Sequence, residues 1–78
     1  MTIPKSEAIK ELKSIGYQRE FVVEFTKANG EVRQMKAMME IPDKPMGPLE
    51  DLSAVPVMDL EKGQWRSFRL DSVLSISA

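Results

Sequence analysis

From Thr2 to Gly16 the chain reads TIPKSEAIKELKSIG, and its apolar residues Ala8, Ile9, Leu12 and Ile15 recur at spacings of three and four. That period gathers them on one stripe of a helix, with Lys5, Glu7, Lys10, Glu11 and Lys13 on the other face. Thr2 is a candidate N-terminal cap with Pro4 in the first turn, and Gly16 can take the left-handed conformation that ends a helix. The pattern predicts a helix over about 4–15. A helix this short is marginal alone in water, so its stripe must dock on something. Two roles stay open for it: cover for one end of a sheet, or a partner-binding helix.

From Arg19 onward the period falls to two, with Phe21, Val23 and Phe25 on one side and Val22, Glu24 and Thr26 on the other. A two-residue turn at Asn29-Gly30 would set Phe25 against Gln34 and Val23 against Lys36, polar side chains against the core. A three-residue loop, Ala28-Asn29-Gly30, with a bulge at Gly30, instead pairs Phe25 with Arg33, Val23 with Met35 and Phe21 with Ala37. The second strand is then predicted over 32–41. Residues 41–54 hold three of the five prolines and no steady period, which reads as a loop. It serves either as a crossing between two hairpins or as a ligand-covering or partner-binding segment, with Met46 and Leu49 as its candidate contacts.

Two more apolar runs, 55–60 and 64–70, flank Glu61-Lys62-Gly63, which stands 33 residues after Ala28-Asn29-Gly30. The same turn would make a second bulged hairpin with Asp59 opposite Trp65, Met58 opposite Arg66 and Val57 opposite Ser67. Residues 70–73 suit one tight helical turn, and Leu74 and Ile76 alternate in a last short strand. The expectation is mainly β: a five-stranded small barrel of the SH3 or Sm-like kind over about 19–77, with one N-terminal helix, in a single domain spanning 1–78. Closure of the sheet would remove the edges that invite aggregation.

Composition narrows the chemistry. With 42% apolar and 29% charged residues in 78, the chain resembles an ordinary globular domain with one small core. It has no cysteine, so no disulfide or thiolate metal site supports that core, which fits a reducing, cytoplasmic setting. It also has no histidine, which removes the usual general base near neutral pH and the commonest metal ligand. The serines have nothing to activate them, and the four scattered glycines build no phosphate or dinucleotide loop. Asp43, Glu50 and Asp51 lack the spacing of a calcium loop. No enzyme activity, cofactor or metal is expected.

No apolar run approaches the ~20 residues of a membrane span, and 1–16 lacks the apolar core of a signal peptide. Eleven basic against twelve acidic residues give a net charge of -1. No global field draws the chain to a phosphate backbone, so any nucleic-acid contact must come from a local patch.

The run Asp59-Leu60-Glu61-Lys62-Gly63-Gln64-Trp65-Arg66-Ser67-Phe68-Arg69-Leu70-Asp71-Ser72-Val73 resembles the end of a WYL domain, whose pattern there is D-x-x-x-G-x-W-R-x-F-R-L-D-R-I. Gly30 and Arg33 fit the G-x-x-R spacing of the same domain's opening strands. The resemblance covers 21–76 and is closest to the short, stand-alone WYL-related proteins of SH3 or Sm-like fold in tailed bacteriophages. It implies a regulatory module whose basic barrel residues bind nucleic acid or nucleotide-like ligands. Arg66 and Arg69 match the family's basic positions. Ser72 stands where an arginine is usual, and Ser53-Ala54-Val55 stands where the tripeptide Trp-Tyr-Leu is usual.

The candidate binding residues are therefore Trp65, Arg66 and Arg69, with Arg33 and Lys36 extending the basic surface if the hairpins lie side by side. An arginine beside an exposed tryptophan offers stacking and a bidentate fork to a base or phosphate. The packing alternative makes Trp65 a barrel aromatic and pairs the arginines with Asp59 and Asp71. Arg66 and Arg69 differ in parity and should face opposite ways unless the strand bends. The leading expectation is a phage-type accessory module in the host cytoplasm that binds RNA, single strands or a nucleotide-like ligand. Its rival is a protein-interaction module that attaches to a host or phage protein. Homo-oligomerisation is left open.

Overall fold

The computed structural model describes residues 2–41 and 48–78. Among the described residues there are five antiparallel strands and one α-helix, an arrangement consistent with a small SH3/Sm-like fold. The helix, α1 (Lys5–Ile15), buries Ala8, Ile9 and Leu12, the stripe that its period assigns to a core-facing side. Its first residue follows Pro4, which stands at the cap position without a side-chain cap bond, so Thr2 does not cap it. Gly16 ends it at φ +82, and its N–H donates to the Leu12 carbonyl at 2.9 Å. A side chain there would be strained by the backbone angle alone.

The strands are β1 (Glu20–Thr26), β2 (Val32–Met38), β3 (Ala54–Asp59), β4 (Gln64–Arg69) and β5 (Val73–Ser77). Single 3-10 turns at Leu49–Asp51 and Leu70–Ser72 complete the elements, the first of them within the stretch read as a featureless loop. The order across the sheet is β4-β3-β2-β1-β5. β1 and β2 pair Phe25 with Arg33, Val23 with Met35 and Phe21 with Ala37, the register that burial of one face demands. Phe21, Val23, Met35, Ala37, Val55, Val57, Phe68, Leu70 and Val73 form one core with the helix stripe.

Two expectations need correction. First, the sheet is not closed: among the described residues no strand pairing joins β4 to β5. The turn at Leu70–Ser72 carries the chain off β4, and β5 then pairs with β1, where the register shifts between Glu24 and Phe25. Such an irregularity bends a strand. Phe25 on β1 and Phe68 on β4 meet with ring centroids 6.0 Å apart, so the sheet curls until its far strands touch through side chains rather than hydrogen bonds.

Second, the β3–β4 register is offset by one from the bulged-turn expectation. Asp59 lies opposite Gln64, Met58 opposite Trp65 and Val57 opposite Arg66. The loop is four residues long, 60–63, closed by the Gly63 N–H donating to the Asp59 carbonyl at 2.7 Å, with Gly63 at φ +65. The cause is Asp59 itself, whose side chain takes part in the turn.

Candidate functional site

Asp59 continues the inward parity of Val55 and Val57 and is 1% exposed. A carboxylate at such a position must find partners or stay out of the core. Its Oδ1 accepts hydrogen bonds from the N–H groups of Glu61 at 3.0 Å and Lys62 at 3.2 Å, which fixes the turn. Its Oδ2 accepts from Arg33 Nη2 at 3.4 Å and lies 3.6 Å from Arg66 Nε. Good charge-assisted bonds are ~2.7–2.9 Å long. The carboxylate thus gives its better geometry to the turn and holds the two arginines loosely. Arg66 Nε is buried and has no hydrogen-bond partner.

These arginines open into a groove of about 250 Å³ on the concave side of the curled sheet. Its cations are Lys27, Arg33, Arg66 and Arg69, and its apolar wall includes Phe25 and Phe68. Arg33 and Arg66 face inward by strand parity. Arg69 is outward by parity, and its side chain is 71% exposed, but it stands at the end of β4 and reaches the groove rim. It also lies 3.3 Å from the Asp71 carboxylate. Lys27 lies 4.0 Å from Glu31, both well exposed. Two arginines sharing one buried carboxylate oxygen leave an excess of positive charge beside an unsatisfied donor. That arrangement attracts an anion.

The sequence-derived set is divided between two faces. Arg33, Arg66 and Arg69 come together at the groove; Trp65 and Lys36 do not. Trp65 is 60% exposed, in the register row that sets Met38 opposite Met58 and Met58 opposite Trp65 on the outer face. It is not a buried barrel aromatic. Lys36 pairs with Glu20 at 3.4 Å on the same outer side. Both aspartates do lie against the arginines, Asp59 against Arg66 and Asp71 against Arg69.

Leu49 packs against the core and, with Leu12 and Tyr17, lines a separate cavity of about 340 Å³ beside α1. Met46 lies outside the described residues, as does Asp43. Among the described residues no cluster of acidic side chains could hold a metal ion. Glu50 accepts from Lys13 at 2.7 Å, and that hydrogen bond holds its carboxyl below the usual range, against a smaller opposing effect of desolvation. Among the described residues no helix is long and apolar enough to cross a membrane.

Phe25, Lys27 and Phe68 are the groove residues that spacing alone misses, because the curl of the sheet brings them together. Asp59 had a readable signal: an acid on the inward parity of a strand, four residues before a glycine and within reach of inward arginines.

No curated protein and no solved structure matches the chain. One family matches, described as WYL_2 with a Sm-like SH3 β-barrel fold, over residues 9–74, from the middle of α1 into β5. The match takes in all the groove residues named above. The chain belongs to the WYL_2 family of Sm-like SH3 β-barrel proteins.

Proposed function

We propose that the chain is a non-enzymatic, phage-type accessory module of the host cytoplasm that binds RNA, single-stranded DNA or a nucleotide-like ligand at the groove of Arg33, Arg66 and Arg69. The observation that carries this reading is the pair Arg33 and Arg66, which share one oxygen of the buried Asp59 carboxylate at 3.4 and 3.6 Å and open into a groove with an aromatic wall. Phosphate offers closer acceptors to the exposed ends of these guanidinium groups, and an aromatic face accepts a base. The absence of histidine and cysteine supports a binding role over a catalytic one.

The test is binding to single-stranded RNA and DNA across a salt series. Affinity should fall as salt rises, and Arg66→Ala combined with Arg69→Ala should lower both the affinity and the salt slope. Salt-independent or absent binding, unchanged in the double variant, would sink the reading.

A second reading, a module that attaches to a host or phage protein, is favoured by the outer row of Met38, Met58 and Trp65. Exposed tryptophan and adaptable methionine are common at protein interfaces. A copurifying protein lost on Trp65→Ala but kept in the arginine double variant is the outcome that this reading requires.

A further inference from the structure

The groove differs from a strand-binding surface in three respects. Its volume of about 250 Å³ falls just below the roughly 300–1,000 Å³ of a small-ligand pocket, room for one small ligand and not for several nucleotides. Proteins that track single strands also line up several aromatic platforms, one for each stacked base. The chain holds one tryptophan, one tyrosine and three phenylalanines. Phe21 is fully buried, Phe68 lines the groove but is only 2% exposed, Trp65 is on the outer face and Tyr17 lines the cavity beside α1. Only Phe25, half-buried and stacked on Phe68 with the ring planes 28° apart, can offer a ring to a base here.

Charge points the same way. The basic cluster is short, the chain carries a net charge of -1, and on the outer face Lys36 is paired with Glu20. A phosphodiester brings one negative charge per linkage. A terminal phosphate brings about -1.5 to -2 and three acceptor oxygens. The second is the better match to Arg33 and Arg66, both loosely held by one carboxylate, with Arg69 and Lys27 at the rim.

We infer that the groove takes one nucleotide with a terminal phosphate, the base against Phe25 and the phosphate between Arg66 and Arg69. This inference rests on the binding role proposed above and narrows its ligand to a single 5′-nucleotide rather than a strand. Asp59 sets the selectivity: its charge already neutralises half of the Arg33–Arg66 pair, so a monoanion gains less there than a dianion.

The test is calorimetric titration of the full chain with each of the four ribonucleoside 5′-monophosphates, the matching nucleosides, inorganic phosphate, and single-stranded oligonucleotides with hydroxyl at both ends. At least one monophosphate should bind, with its nucleoside and free phosphate each weaker by roughly tenfold or more, as expected for loss of a charged hydrogen-bonded group. The hydroxyl-ended strands should bind no better than nucleoside. Arg66→Gln should weaken the monophosphate by roughly tenfold. Arg69→Gln, at an exposed position that tolerates change, repeats the test if the first variant unfolds. Strands that bind more tightly than every monophosphate, or phosphate alone that binds as well as the nucleotide, overturn the inference and leave the broader role standing. Silence from every probe removes both.

Discussion

The two hairpins end in a glycine of positive φ, Gly30 at +89 and Gly63 at +65, but close on different principles. β1 and β2 are closed by backbone: Lys27 N–H donates to the Glu31 carbonyl at 2.7 Å and Gly30 N–H to the Lys27 carbonyl at 2.9 Å, with only the exposed Asn29 side chain assisting. β3 and β4 turn around a buried carboxylate that also faces two arginines. The first turn is a surface joint. The second ties its own geometry to the groove, so the same chemistry decides where Gly63 bends and where Arg66 points.

Replacing each turn's acceptor tests that contrast most strongly. Asp59→Ala leaves two turn N–H groups and two arginines without their shared anion and should cost about 2–4 kcal/mol of unfolding free energy. Asn29→Ala removes one exposed bond and should cost only about 0.5 kcal/mol. Denaturant unfolding of both variants decides it: equal losses would erase the distinction between the turns.

The glycines come next. Neither has an atom within 4 Å of where a Cβ would sit, so alanine meets strain from the backbone alone. Gly30→Ala and Gly63→Ala should each lose about 1–2 kcal/mol. Gly63→Ala should also move the amide signals of Arg66 and its β4 neighbours; Gly30→Ala, in a turn that reaches the groove only through Lys27 and Ala28, should not. If Gly30→Ala moves those signals as much, the hairpins are not independent.

The smallest effect lies outside both hairpins and sets the background. The Lys13–Glu50 contact ties α1 to the turn at Leu49–Asp51. Because the Glu50 carboxyl sits below its usual range in the folded chain, its stabilising share is present above the ordinary glutamate pKa and fades as pH falls through the lowered folded value. Thermal melts of Glu50→Gln should therefore lie slightly below those of the parent at neutral pH and converge with them in acid. Divergence that grows in acid would contradict this sign.

The hairpin contrast also explains what was legible. In β1 one side is wholly apolar and in β2 Met35 and Ala37 continue it, with Arg33 at the end, so only one register buries Phe21 and Val23 against apolar partners, and the alternation alone finds it. In β4 Trp65 and Phe68 fall on opposite parities. Alternation then carries no register, and a side-chain contact inside the turn decides it. The helix, the five strands and the tight turn after β4 all follow from local period. The meeting of Phe25 and Phe68 depends on the curl of the whole sheet, as does the open gap between β4 and β5. The arginines could be named but not their companions, because a strand's parity says which side a residue faces and not which distant strand it faces.

The segment ahead of α1 has a consequence for assembly. Ile3 N–H donates to the Val73 carbonyl at 2.8 Å, so the chain's own start occupies part of the β5 margin, while β4 ends the sheet on the other side. Strand margins recruit further strands unless something blocks them. With one margin partly occupied by the molecule itself, repeated head-to-tail addition is disfavoured at its first step, and a 78-residue chain with an uncapped strand is spared one route to fibres.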